Sequence, residues 1–221
     1  MPDVITATQQ YQAALDRESQ REMRALIDEY TRMYKRLQDK IDLLVLSAGG
    51  KPMTEAQIYR LDRYQDLTRQ IEQELIEYQS LVTRTTRATV DSGLASGERD
   101  ARRLLSVTVG GDESIVARFN RLPVGAIKTL TGFLDDDSDL YKRIKLLAPT
   151  TFDIVRQRMI EGIGLGYNPK KIARMIQDGF GQGLTDALRT VRTAQIWAYR
   201  EANRAVYTAN SDVAKGWVWY A

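Results

Sequence analysis

The sequence predicts a mainly α protein: a long antiparallel helical hairpin, then a compact helical bundle, then a short terminal β element. Apolar residues recur at steps of three and four along two stretches, 9–46 and 54–90. Between them stand a glycine pair, a proline and a capping box. A third stretch, about 184–210, puts alanines on one face and arginines on the other.

The first arm takes its stripe from Tyr11, Leu15, Leu26, Tyr30, Met33, Leu37, Ile41 and Leu44. Gly49 and Gly50 stop it, Pro52 follows, and Thr54 with Gln57 has the spacing of a box that opens a new helix. The stripe resumes through Ile58, Leu61, Tyr64, Leu67, Ile71, Leu75, Tyr78 and Val82, so the chain is expected to fold back at residues 48–52. Residues 1–90 therefore read as a hairpin arm, serving either as a coiled-coil spacer with solvated charges or as a docking arm.

Residues 91–137 read as a connector, because Gly93, Gly97, Gly110, Gly111, Pro123, Gly125 and Gly132 interrupt the periodicity. Short helices are expected near 98–107, 113–120 and 123–131. Arg99, Arg102 and Arg103 alternate with Glu98 and Asp100, the pattern of a solvated helix. The acidic run Asp135, Asp136, Asp137 and Asp139 lacks the glycine and the terminal acidic residue of a calcium loop, and it reads as the cap of the next helix.

A helical core is expected over 138–221. Two helices separated by Pro149 should run to about Gly162, and Asn168-Pro169 should open another, giving a helix-turn-helix over 152–178. The glycines at 162, 164 and 166 do not form a phosphate loop, since no strand precedes them and no Lys-Ser/Thr follows. The last residues, 215–221, with Trp217, Trp219 and Tyr220, read as a strand.

Composition narrows the chemistry. The 221 residues include no cysteine and no histidine, which removes disulfides, thiolate nucleophiles and His-based triads and makes a zinc site implausible. No convergent acid, base and nucleophile emerges, so a non-enzymatic protein without cofactor or metal is expected. The net charge is only +3, with the basic excess at the C-terminal end: 8 basic against 4 acidic residues over 170–221. The longest apolar runs, such as 43–46, fall far short of a membrane span, and residues 1–20 carry no apolar signal segment.

On a wheel of 100° per residue with Arg189 as zero, Leu184, Ala187, Leu188, Val191, Ala194, Ala198, Tyr199, Ala202, Ala205, Val206 and Ala209 fall between about 140° and 280°. That face is expected to be buried. Arg192, Thr193, Arg200, Asn203 and Arg204 lie within about 60° of Arg189, with Glu201 apart near 120°. Arg189, Arg192, Arg200, Asn203 and Arg204 are thus the candidate binding residues, and their stripe suits phosphate, a carboxylate-bearing partner surface or water. A structural alternative has Arg192 clamp Glu161 or Asp178.

The stretch Gly162 to Ile176 with its Asn168-Pro169, the pair Arg192-Thr193, the triplet Asn203-Arg204-Ala205 and the closing Lys215-Gly216-Trp217 resemble the phage Mu F-like head morphogenesis (minor head) proteins. The resemblance covers about residues 150–221. It departs from the family at Ala194, where an acidic residue is usual, and in the Cys/His-containing segment that usually follows the tryptophan strand. It implies a non-enzymatic virion protein at the portal vertex of the phage head, present in several copies and made in the host cytoplasm. The implied partners are the portal protein and the major capsid protein, with contact to packaged DNA as the alternative role.

Overall fold

The structure, a computed structural model, describes residues 4–112 and 138–213. It is mainly helical, with α1 (Val4–Ala48), α2 (Glu55–Tyr59), α3 (Asp62–Thr108), α4 (Asp139–Gly164) and α5 (Pro169–Ala209), and no strand occurs among the described residues. The chain divides into two compact units. The first draws on the described parts of Met1–Glu22, Thr85–Leu140 and Val191–Ala221, the second on Met23–Arg84 and Tyr141–Thr190.

In the second unit the predicted stripes become core. Leu26, Met33, Leu37, Ile41 and Leu44 are buried on α1, as are Tyr64, Leu67, Ile71, Leu75, Tyr78 and Val82 on α3. Their contacts descend along α3 as they ascend along α1. The Tyr30 and Tyr78 rings meet edge-on at 4.7 Å, Arg36 Nη2 pairs with Glu74 Oε2 at 2.6 Å, and Arg63 Nη1 donates to the Leu43 carbonyl at 3.4 Å. Tyr30 also donates its hydroxyl to the Phe180 carbonyl at 2.5 Å, tying α5 to the pair.

The predicted capping box forms. The Gln57 N–H donates to Thr54 Oγ1 at 3.3 Å, and the Thr54 N–H donates to Gln57 Oε1 at 2.8 Å. The helix it opens, however, does not run on to residue 90 as the periodicity suggests. It stops at Tyr59, where three-residue bonds from Arg60 to Gln57 and from Leu61 to Ile58 tighten the last turn. The Gln65 amide then donates to the stranded Tyr59 carbonyl at 2.8 Å, so the break leaves that group satisfied and lets Ile58 bury fully.

Pro149 does not separate two helices. It lies inside α4, and Gln79 Oε1 accepts from the Ala148 N–H at 3.0 Å beside it. A side chain from α3 thus supplies polar contact where the proline ring disturbs the ladder. The turn from α4 to α5 closes as a Schellman motif: the Tyr167 N–H donates to the Gly162 carbonyl, and Gly166, at φ +66°, donates to Ile163. A Cβ at Gly166 would lie 2.7 Å from the Pro52 nitrogen, so space as well as backbone angle requires glycine there. Asn168 then accepts from the Lys171 N–H at 3.0 Å with Pro169 in the first helical position, as the sequence predicts.

The first unit departs most from the sequence reading. Residues 98–107 are not a separate short helix but part of α3, which carries straight through the expected boundary at residue 90. Gly93 and Gly97 interrupt nothing. A Cβ on Gly93 would lie 3.0 Å from the Gln195 carbonyl oxygen, and one on Gly97 would lie 2.5 Å from the Tyr199 carbonyl oxygen. These glycines let two helix backbones approach, and the cost of glycine in a helix is offset by that contact. The expected helices near 113–120 and 123–131, Asp135 to Asp137 of the acidic run and the terminal strand at 215–221 lie outside the described residues. Asp139 sits in the first turn of α4, where its charge complements the helix dipole.

The core of the first unit is made of small and polar side chains. Ala101, Ala194, Ala198 and Ala202 are buried with Val90, Leu94, Leu105 and Val206, and Thr86, Thr89 and Gln195 are buried among them. Gln195 is fully enclosed, and among the described residues neither its amide nitrogen nor its amide oxygen has a hydrogen-bond partner. Such a group costs about 1–3 kcal/mol. Gln195→Leu is therefore expected to raise the melting temperature by a few degrees, measured by circular dichroism. An unchanged or lower value would show that the amide is satisfied in solution.

Candidate functional site

The arginines singled out by the sequence lie on α5, which the alanine face holds in place. Val191, Ala194, Ala198, Ala202 and Val206 are each at most 2% exposed, so the opposite side is presented on a backbone pinned against α3. Arg192, Arg200 and Arg204 are exposed and Asn203 is half-buried, all within the first unit. Arg189 is exposed as well but belongs to the second unit.

The stripe is not free of carboxylates. Arg204 donates through Nε and Nη2 to Glu201 Oε2 at 2.9 and 2.7 Å. Arg192 Nη2 lies 3.9 Å from Asp16 Oδ1, and Arg189 Nη1 lies 3.9 Å from Asp186 Oδ1. Arg192 therefore does not clamp Glu161 or Asp178: its nearest carboxylate is Asp16 on α1, and both side chains are more than half exposed. Glu161 pairs instead with Arg158 at 3.3 Å. Exposed pairs at such distances contribute little, so Arg189 and Arg192 can exchange their partners at small cost. Arg200 has no ion pair among the described residues. Asn203 spends its amide donor on the Tyr199 carbonyl at 3.0 Å, a bond within its own helix.

Trp197 is 38% exposed and stands one turn before Arg200. Its position near 80° on the wheel falls between the alanine face and the arginine stripe, so a two-face reading passes over it. The signal that would have found it is the i, i+3 and i, i+7 spacing to Arg200 and Arg204.

The polar groups where α3 meets α5 centre on one buried carboxylate. Asp100, only 4% exposed, accepts from the Tyr199 hydroxyl at 3.3 Å, and Arg99 Nε lies 3.4 Å away. Burial, and then the nearby Asp100 charge, pushes both the Tyr199 and the Tyr207 phenols up to about 12. A raised phenol pKa favours the folded state fully below the unfolded value near 10, and that contribution is lost as pH rises toward 12. Alkaline titration followed by tyrosinate absorbance and ellipticity should therefore show Tyr199 and Tyr207 ionising together with loss of helix. Their ionisation near pH 10 with helicity intact would contradict the burial.

The grooves of the second unit are open and charged. One of about 460 Å³ is lined by Lys40, Asp66, Arg69, Gln70, Gln73, Glu74 and Glu77, charges of both signs on an open surface. Among the described residues no group of three or more carboxylates is placed to hold a metal ion. No described helix is long and apolar enough to cross a membrane. Comparisons with protein-family models, with curated proteins and with solved structures found no match for this chain.

Proposed function

We propose that this chain is a structural minor head protein of a tailed phage, associating with the portal vertex and the inner capsid surface during head assembly. One observation carries the reading: Arg192-Thr193 and Asn203-Arg204-Ala205, the residues of the resemblance, fall on a single helix whose alanine side is buried and whose arginine side faces solvent. Burying one side and exposing the other is what a fixed docking surface requires. The portal protein is the primary partner and the major capsid protein a second, with several copies per virion. The same reading includes a long helical hairpin, a compact helical bundle and a short terminal β element. Neither cofactor nor catalytic residue enters it.

DNA contact is the second reading, favoured by the basic excess over 170–221. Asp16, Asp186 and Glu201 beside three of the four arginines count against it, since a continuous phosphate backbone would meet those carboxylates too. A pull-down of the full chain with the portal protein tests the proposal. Retention on portal rings is expected, and absence of binding at tens of micromolar would exclude it.

A further inference from the structure

Resting on the docking reading just given, we propose that Trp197 and Arg200 are the anchor of the face, fitting an acidic protein surface that offers a carboxylate beside an apolar slot. Three observations converge on these two side chains. Trp197 leaves 38% of its surface in solvent on a helix otherwise patterned to bury its apolar residues. Arg200, one turn on, is exposed, and unlike Arg192 and Arg204 in the same unit it has no carboxylate within ion-pair distance among the described residues. The helix beneath both is fixed by Ala194 and Ala198, and a Cβ on Gly93 would come within 3.3 Å of the Ala198 methyl, so neither side chain sits on a mobile element.

The chemistry of the partner follows from the neighbours. Arg192 and Arg204 stand beside Asp16 and Glu201, so carboxylates are interspersed with these arginines, and Arg200, one turn from Trp197, is the one without a carboxylate partner among the described residues. A polyanion gains little from such a face, because a phosphate that meets Arg192 or Arg204 also approaches a carboxylate. A protein surface with one well-placed carboxylate gains a charge-assisted bond from Arg200 and covers the indole at the same time. Tryptophan and arginine are the residue types that most often dominate binding at the centre of protein interfaces.

The test uses the full chain as wild type, Trp197→Ala, Arg200→Glu and Arg200→Lys, titrated against portal rings and separately against a short duplex DNA. Trp197→Ala and Arg200→Glu should each weaken portal binding by about tenfold or more, with Arg200→Lys intermediate because lysine lacks the planar fork. Arg200→Glu alters only an exposed position, so it carries the test alone should Trp197→Ala lower the melting temperature. Portal binding by wild type with equal binding by Arg200→Glu would overturn this inference and leave the portal function standing. No portal binding by wild type would overturn the function and the inference with it. Loss of duplex binding in Arg200→Glu with portal binding unchanged would overturn the choice of an acidic protein over nucleic acid.

Discussion

Gly97→Ala is expected to unfold or severely loosen the first unit. The added methyl would lie 2.5 Å from the Tyr199 carbonyl oxygen and 2.8 Å from the Ala202 Cβ. Both obstacles are backbone or the first side-chain atom, so neither can rotate away. Overpacking of this kind costs about 1–3 kcal/mol and more when backbone must move, against a helix-propensity gain of up to about 1 kcal/mol. The net loss is set by the clash. Gly181→Ala supplies the control, because nothing lies within 4 Å of its Cβ position on the same helix α5. That substitution should stabilise by up to about 1 kcal/mol. Thermal melts should therefore move in opposite directions for two identical substitutions. Equal shifts would mean that α3 and α5 do not approach at Gly97.

Reversing two charges on α5 should separate folding from binding. Arg192→Glu combined with Arg200→Glu is expected to leave the melting temperature within a degree or so, because both side chains are exposed and the Arg192 pair with Asp16 is 3.9 Å long. Portal affinity should fall by about 100-fold or more, since like charges would face each other at a matched surface. Melting temperature, portal affinity and duplex-DNA affinity measured together give three distinct outcomes. Intact folding with lost portal binding supports the docking face. Intact folding with only DNA binding lost supports genome contact, and lost folding would mean that Arg192 is held by the core after all.

What the sequence made legible was what depends on local periodicity and end chemistry. The stripes of α1 and α3, the Thr54 box, the Asn168-Pro169 start and the alanine face of α5 each follow from residues within a few positions of one another. Gly93 and Gly97 look like breakers until the backbone they touch is known, and that backbone lies about 100 residues away in sequence. Pro149 looks like a breaker for the same reason, since the Gln79 side chain beside it comes from another helix. The stripe's charge balance also escaped the wheel. Glu201 points about 60° away from Arg204 by angle, yet two long side chains three residues apart reach each other easily. Asp16 comes from α1 and could be placed beside Arg192 only by the fold.

A difference map of the portal vertex tests most directly whether the chain is a component of it. Heads assembled with and without the chain would be imaged and their portal vertices subtracted. Additional helical density is expected against the portal ring, with α5 turned toward it through Trp197 and Arg200. Identical vertices, or added density found only along the packaged genome, would contradict it.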